Sequence, residues 1–163
     1  MGPIIDITTL FPYRIIILFA YSFACYNIAH SVLKDKFNSF ITLIAIFVAR
    51  ILTSIAFFNR ESLEALGYPV FAILLFIILT FLTVGKRSYE IICIIFSFIS
   101  QFLSTMLTGF IQALIYQGKE YAEVFGTNNP NLYHLYIYLA SAIIIVAVSF
   151  LFSSILKLFN TRK

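Results

Sequence analysis

The chain has 163 residues, of which 61% are hydrophobic and 11% charged, with a net charge of +4. Soluble domains are about a quarter charged and at this length bury only about two-thirds of their chain's surface, so a mean hydropathy of +0.99 excludes a water-soluble fold. The basic residues sit mainly at the ends of apolar runs, where they set membrane topology, and they do not point to nucleic acid.

In lipid, every backbone polar group must be satisfied within the protein, which leaves helices or a closed barrel. Barrel strands alternate in polarity over about ten residues, whereas runs such as Ile15 to Ala24 and Ile137 to Phe152 do not alternate. The expected fold is an all-α polytopic membrane helix bundle, one transmembrane domain over residues 1–163. A crossing helix needs about 20 apolar residues, and five segments fit: Tyr13–Leu33, Phe37–Phe58, Tyr68–Val84, Tyr89–Tyr116 and Leu132–Leu158. The first resembles a signal peptide only briefly, because its apolar run continues past Cys25 to Leu33. Lys34-Asp35-Lys36 closes it. Asn59 to Ser62, with Gly67 and Pro69, closes the second. Gly85-Lys86-Arg87 closes the third, and Gln117 to Pro130 separates the fourth from the fifth. Glycine and proline in these breaks are helix-stop signals.

Alternate loops differ in charge. Lys34, Lys36, Lys86, Arg87, Lys157, Arg162 and Lys163 fall on one side, and Arg14, Arg60 and Lys119 on the other. The positive-inside rule therefore predicts an outside N-terminus and a cytoplasmic C-terminus in a multi-pass cell-membrane protein. Tyrosines gather on the predicted outer side, including Tyr116, Tyr121, Tyr133, Tyr136 and Tyr138, with Phe125 among them. They read either as an interfacial belt or as a wall for a ligand arriving from outside, with Tyr121, Phe125 and Tyr133 as its contacts.

Arg50 is the most informative residue. It lies about 13 residues into the second span, roughly 20 Å from its start at about 1.5 Å per residue. An arginine at that depth faces the bundle interior or a wet cavity, or snorkels outward as a structural residue. Gln101 on the fourth span and Tyr21 on the first fall at similar depth. Gln101 belongs to a polar stripe of Ser97, Gln101, Ser104, Thr105, Thr108 and Gln112, and the second span has Thr42, Arg50, Thr53 and Ser54. The two stripes are expected to face each other, with the first helix nearby. They serve either as interhelical polar contacts or as a ligand site made of Arg50, Gln101, Tyr21, Ser104 and Thr108, suited to an anionic group such as a carboxylate.

Asn27 and His30 near the inner end of the first helix have no further His, Asp or Glu at matching depth, so no metal site is expected. Cys25 and Cys93 read as packing residues. Ala20 with Ala24, Ala45 with Ala49, and Gly109 with Ala113 are small residues four apart that let helices approach, within one chain or in a homo-oligomer. No P-loop, nucleophile elbow, zinc-protease or CxxC motif occurs. The chain is therefore expected to be non-enzymatic and without a cofactor.

The order of helices, with basic turns at Lys34-Asp35-Lys36 and Lys86-Arg87 and a polar-striped fourth helix, resembles the N-terminal membrane sensor of accessory-gene-regulator-type histidine kinases. The local likeness centres on Ser97-Phe98-Ile99-Ser100-Gln101-Phe102-Leu103-Ser104 and the Gly109 that follows. The resemblance implies recognition of a secreted peptide from outside. It departs from the family in lacking the phosphoacceptor helix and ATP-binding domain, which implies a stand-alone sensor-like module or a fragment with no kinase activity of its own. Three functions stay open. The first is a receptor-like or regulatory module that binds a peptide or small ligand and acts through a partner protein. The second is the substrate-binding membrane subunit of a small-molecule transporter, and the third a pore-forming or accessory protein.

Overall fold

The computed structural model describes residues 7–58, 64–116 and 130–161, with side chains over 14–57, 66–114 and 134–160. The described chain is almost entirely helical: α1 Ile7–His30, α2 Ser39–Thr53 continued by a π-helical turn Ser54–Phe58, α3 Glu64–Leu82, α4 Arg87–Tyr116 and α5 Pro130–Thr161. Two short strands, β1 Lys34–Asp35 and β2 Thr83–Val84, fill the turns after α1 and α3. Three stretches are long and apolar enough to cross a bilayer, Ser39–Phe57, Arg87–Leu114 and His134–Asn160, while Arg14–His30 and Leu66–Leu82 are shorter apolar helices.

Local chemistry sets the ends. Asn38 caps α2, its extended backbone letting Oδ1 accept from the Phe40 amide at 3.0 Å. Pro130 opens α5, where a missing amide hydrogen costs nothing. The π turn follows Thr53, whose hydroxyl bonds the carbonyls of Ala49 and Arg50, both at 3.0 Å.

One expected boundary moves. The third helix begins at Glu64 and not at the expected Tyr68, so Gly67 lies inside it together with Pro69. Proline so near a helix start removes only one interior hydrogen bond, and the apolar residues that follow carry the helix on.

Helix directions alternate. α1 and α5 run parallel, since Ala20 clusters with Ile145, Phe23 meets Phe150 at 6.2 Å and Asn27 Nδ2 donates to Ser149 Oγ at 3.2 Å. α4 runs antiparallel to α1, with Tyr21 meeting Thr105 and Cys25 meeting Gln101. α1 is the central helix, packed by α2, α4 and α5, and its apolar residues accordingly surround its whole circumference. Contrary to the sequence expectation, α2 and α4 have little direct packing; α1 and α3 hold them together.

The pattern of burial differs from that of a soluble protein: polar side chains share the interior with Ile28, Ile46, Phe71, Leu75 and Leu79, and many large apolar ones face outward. Ser22, Thr42, Thr53, Ser97, Ser100 and Ser149 are buried, while Phe81, Phe102, Phe110 and Ile143 point outward. Most of the buried serines return their hydroxyls to a carbonyl one turn back, as Ser22 does to Leu18 at 2.7 Å and Ser97 to Cys93 at 2.7 Å. Lipid offers no hydrophobic drive between helices, so small and polar residues can share the interior while large apolar ones also cover the periphery. Ala20 and Ala24 fit this, packed between α1 and α5. Gly109 does not, because a Cβ there would meet nothing within 4 Å.

The strands tie together the ends of the first two hairpins. Lys34 pairs with Val84 and Asp35 with Thr83 in an antiparallel ribbon, and the Lys36 amide adds a 2.9 Å bond to the Leu82 carbonyl. Asp35, with a side chain only 7% exposed, accepts from Tyr26 Oη at 3.2 Å and Thr42 Oγ1 at 2.8 Å and meets His30 Nδ1 at 3.2 Å. Beside it Thr80 Oγ1 donates to buried Glu90 at 2.8 Å. Gly85 packs closely on Leu33: a Cβ there would meet the tip of that buried side chain, which would have to turn aside.

Candidate functional site

Arg50 is 6% exposed. Its Nη2 donates to Gln101 Oε1 at 3.3 Å, and its guanidinium carbon lies 4.6 Å from the Phe71 ring centroid and 5.4 Å from that of Tyr21. An arginine at mid-helix costs about 2.5–3.5 kcal/mol in a membrane. A hydrogen bond from a charged group returns about 1.5–3 kcal/mol, and a desolvated cation–π contact about 2 kcal/mol. These contacts offset part of that cost, while among the described residues Nε and Nη1 are buried without a hydrogen-bond acceptor.

Gln101 is 7% exposed and turns its amide nitrogen to Cys25 Sγ at 3.4 Å. It faces Arg50 on one side and α1 on the other. Tyr21 completes a loop of contacts. Its hydroxyl pairs with Thr105 Oγ1 at 3.0 Å, and Thr105 Oγ1 also lies 3.0 Å from the Gln101 carbonyl it donates to. Arg50, Gln101, Thr105 and Tyr21 therefore link α2, α4 and α1 in a ring.

Two cavities open on either side of Tyr21, towards the end of the bundle opposite the β ribbon. The first, about 280 Å³, is lined by Arg14, Tyr21, Arg50, Ser54, Tyr68 and Tyr138 with two apolar residues of α1. The π turn brings Ser54 to this wall, one turn beyond Arg50; such turns recur at functional sites. The second, about 370 Å³, takes Tyr21 and Tyr138 again, now with Thr105, Thr108, Gln112 and Ser141. Tyr21, Tyr138 and Ile17 are common to both.

Of the residues expected from sequence, Arg50, Gln101 and Tyr21 come together, and Thr108 lines the second cavity. Ser104 lies apart, fully buried with its hydroxyl bonded to the Ser100 carbonyl at 2.7 Å. Tyr121 and Phe125 lie outside the described residues, as does the Tyr133 side chain. Contributors not foreseen as site residues include Phe71 and Tyr68 on α3, Tyr138 and Ser141 on α5 and Arg14 on α1, and Ser54, Thr105 and Gln112 join from the two polar stripes. Arg14, Ile17, Leu18 and Tyr21 recur at helical spacing, a signal legible in the sequence. Nothing distinguishes Phe71 from the other eighteen of 19 phenylalanines before the fold is known.

Among the described residues no group of three His, Cys, Asp or Glu side chains stands together to hold a metal ion, and Cys25 and Cys93 are free and buried. His30 has a partner in Asp35 and a stacked neighbour in Tyr26 at 5.4 Å, so it belongs to the ribbon end. Chemically, the site offers fixed cations, phenol hydroxyls and amide groups. Comparison with protein-family models, curated proteins and solved structures gave no match.

Proposed function

We propose that the chain is a five-crossing membrane module, with its N-terminus outside and its C-terminus in the cytoplasm, that receives a peptide or small ligand from the outer side and acts through a partner protein. The alternating directions of α1 to α5 support five crossings, and the basic residues at the ribbon end support placing that end in the cytoplasm. The observation that carries the reading is that buried Arg50 shares a cavity with Arg14, Tyr21, Tyr68 and Tyr138 at the opposite end. A charge kept at such cost inside a bundle marks a site where something charged or polar is met. The resemblance to peptide-sensing membrane domains agrees with this direction of approach.

A second reading, the substrate-binding subunit of a transporter, is favoured by the depth of Arg50 and its enclosure by α1, α3 and α4. Affinity purification from native membranes in mild detergent, with mass spectrometry of what accompanies the chain, separates the two. A cytoplasmic signalling partner supports reception. An ATPase pair in stoichiometric amounts overturns it in favour of transport.

A further inference from the structure

A second groove lies at the ribbon end, and we infer that it seats one acidic phospholipid: an acyl chain lies between α4 and α5, and Lys34 and Lys86 meet the phosphate. The inference needs only that the chain spans a membrane, and it holds whether the chain receives or transports. The groove, about 330 Å³, runs where the end of α1, the first turns of α4 and the last turns of α5 come together. Val32, Ile92, Phe96, Leu156 and Phe159 wall it, and Tyr89 and Asn160, nearest the helix ends, add polar groups. Phe96 is held edge-on to Phe152 at 5.6 Å, and Val32, Ile92 and Phe96 pack on the buried core, so these walls are preformed.

Charge is segregated at this end. Asp35 and Glu90 turn inward and accept from hydroxyls, Asp35 from Tyr26 and Thr42 and Glu90 from Thr80. The remaining acids, Asp6, Glu61, Glu64, Glu120 and Glu123, belong in sequence to other parts of the chain than the ribbon turns. The basic side chains turn outward instead. Each wall has an exposed lysine close by along the chain: Lys34 two residues after Val32, Lys86 three before Tyr89, and Lys157 three before Asn160. α4 also begins here, and a helix start favours a phosphate.

An apolar slot beside a ring of lysines matches an acidic phospholipid in both its parts. Basic pockets between membrane helices bind such headgroups. A free anion would leave the apolar walls uncovered. A second copy in the same membrane would bring its own lysines to the same level, where like charges repel. The larger groove of about 760 Å³, lined by Phe19, Phe47 and Ile143 among others, has no charged residue on its lining, so nothing there selects a headgroup.

The sequence has no tryptophan, so Phe159→Trp places a single fluorescent reporter in the groove. The full chain carrying it is reconstituted in phosphatidylcholine vesicles that contain either brominated phosphatidylglycerol or brominated phosphatidylcholine, and quenching against mole fraction gives their relative affinity. The acidic lipid is expected to bind about fivefold or more tightly, the effect of roughly one basic residue near the headgroup. Lys34→Gln with Lys86→Gln should remove the preference. Both side chains are exposed and the ribbon is held by backbone bonds, so the fold is kept. Phe102→Trp, exposed in the middle of α4, should show no preference. Equal quenching by the two lipids at Phe159→Trp, or a preference that survives the double change, overturns the assignment. The same preference at Phe102→Trp reduces it to diffuse attraction at the membrane surface and overturns the seat. A reporter shielded from both lipids means that protein covers the groove, and overturns it as well.

Discussion

Arg50 Nη2 donates to Gln101 Oε1 across 3.3 Å although their helices, α2 and α4, scarcely pack against one another. The bond reaches through the space that α1 and α3 frame, with Phe71 and Tyr21 as π faces on the guanidinium. Gln101→Leu removes this acceptor and should lower stability by about 1.5–3 kcal/mol. Thermal unfolding of the purified protein measures the loss. Because the two side chains act on each other, Arg50→Leu with Gln101→Leu should cost less than the sum of the single changes. Simple additivity would mean that the bond contributes nothing.

Tyr21 has two separable roles. Tyr21→Phe deletes the bond to Thr105 while keeping a ring beside Arg50, and should cost about 0.5–1.5 kcal/mol. Tyr21→Leu loses the ring as well and should cost about 0.5–2 kcal/mol more. Equal losses in the same unfolding assay would show that the cation–π contact carries no weight.

At the ribbon end, Asp35 gathers Tyr26, Thr42 and His30. His30 is 54% exposed on its side chain, so its share is screened by solvent, and most of the effect comes from the two hydroxyl donors. Asp35→Ala should destabilise by about 2–3 kcal/mol, and Asp35→Asn by less, because one amide oxygen still accepts. Identical destabilisation by Ala and Asn would remove Asp35 as the hub of that end.

Gly85 sits against Leu33. Gly85→Ala should be tolerated at small cost, because the colliding atom is the tip of a leucine that can turn. Gly85→Val should cost about 1–3 kcal/mol by overpacking. Leu33→Ala in the Gly85→Val background should restore part of the loss. If it restores none, the constraint lies elsewhere.

The apolar runs were legible in the sequence because hydropathy and length are properties of single segments. The meeting of Arg50, Gln101 and Tyr21 followed from counting depth along helices of known rise. What escaped depends on partners distant in sequence. Asp35 and Lys34 read as a basic turn, yet they pair with Thr83 and Val84 through backbone bonds that no side-chain pattern announces. Phe71 and Tyr68 became site residues only once α3 was placed. Ser104, on the same stripe as Gln101, spends its hydroxyl on its own helix, so helical spacing alone does not separate packing from lining.

The central claim is that the crevice beside Arg50 opens to the outer side of the membrane. Ser54 lines it, and the native Cys25 and Cys93 are buried. Labelling of Ser54→Cys in intact cells with a membrane-impermeant maleimide is the most direct measurement. The account predicts modification from outside in Ser54→Cys and none in the parent chain. Modification only in inside-out vesicles, or only after detergent opens the membrane, would contradict it.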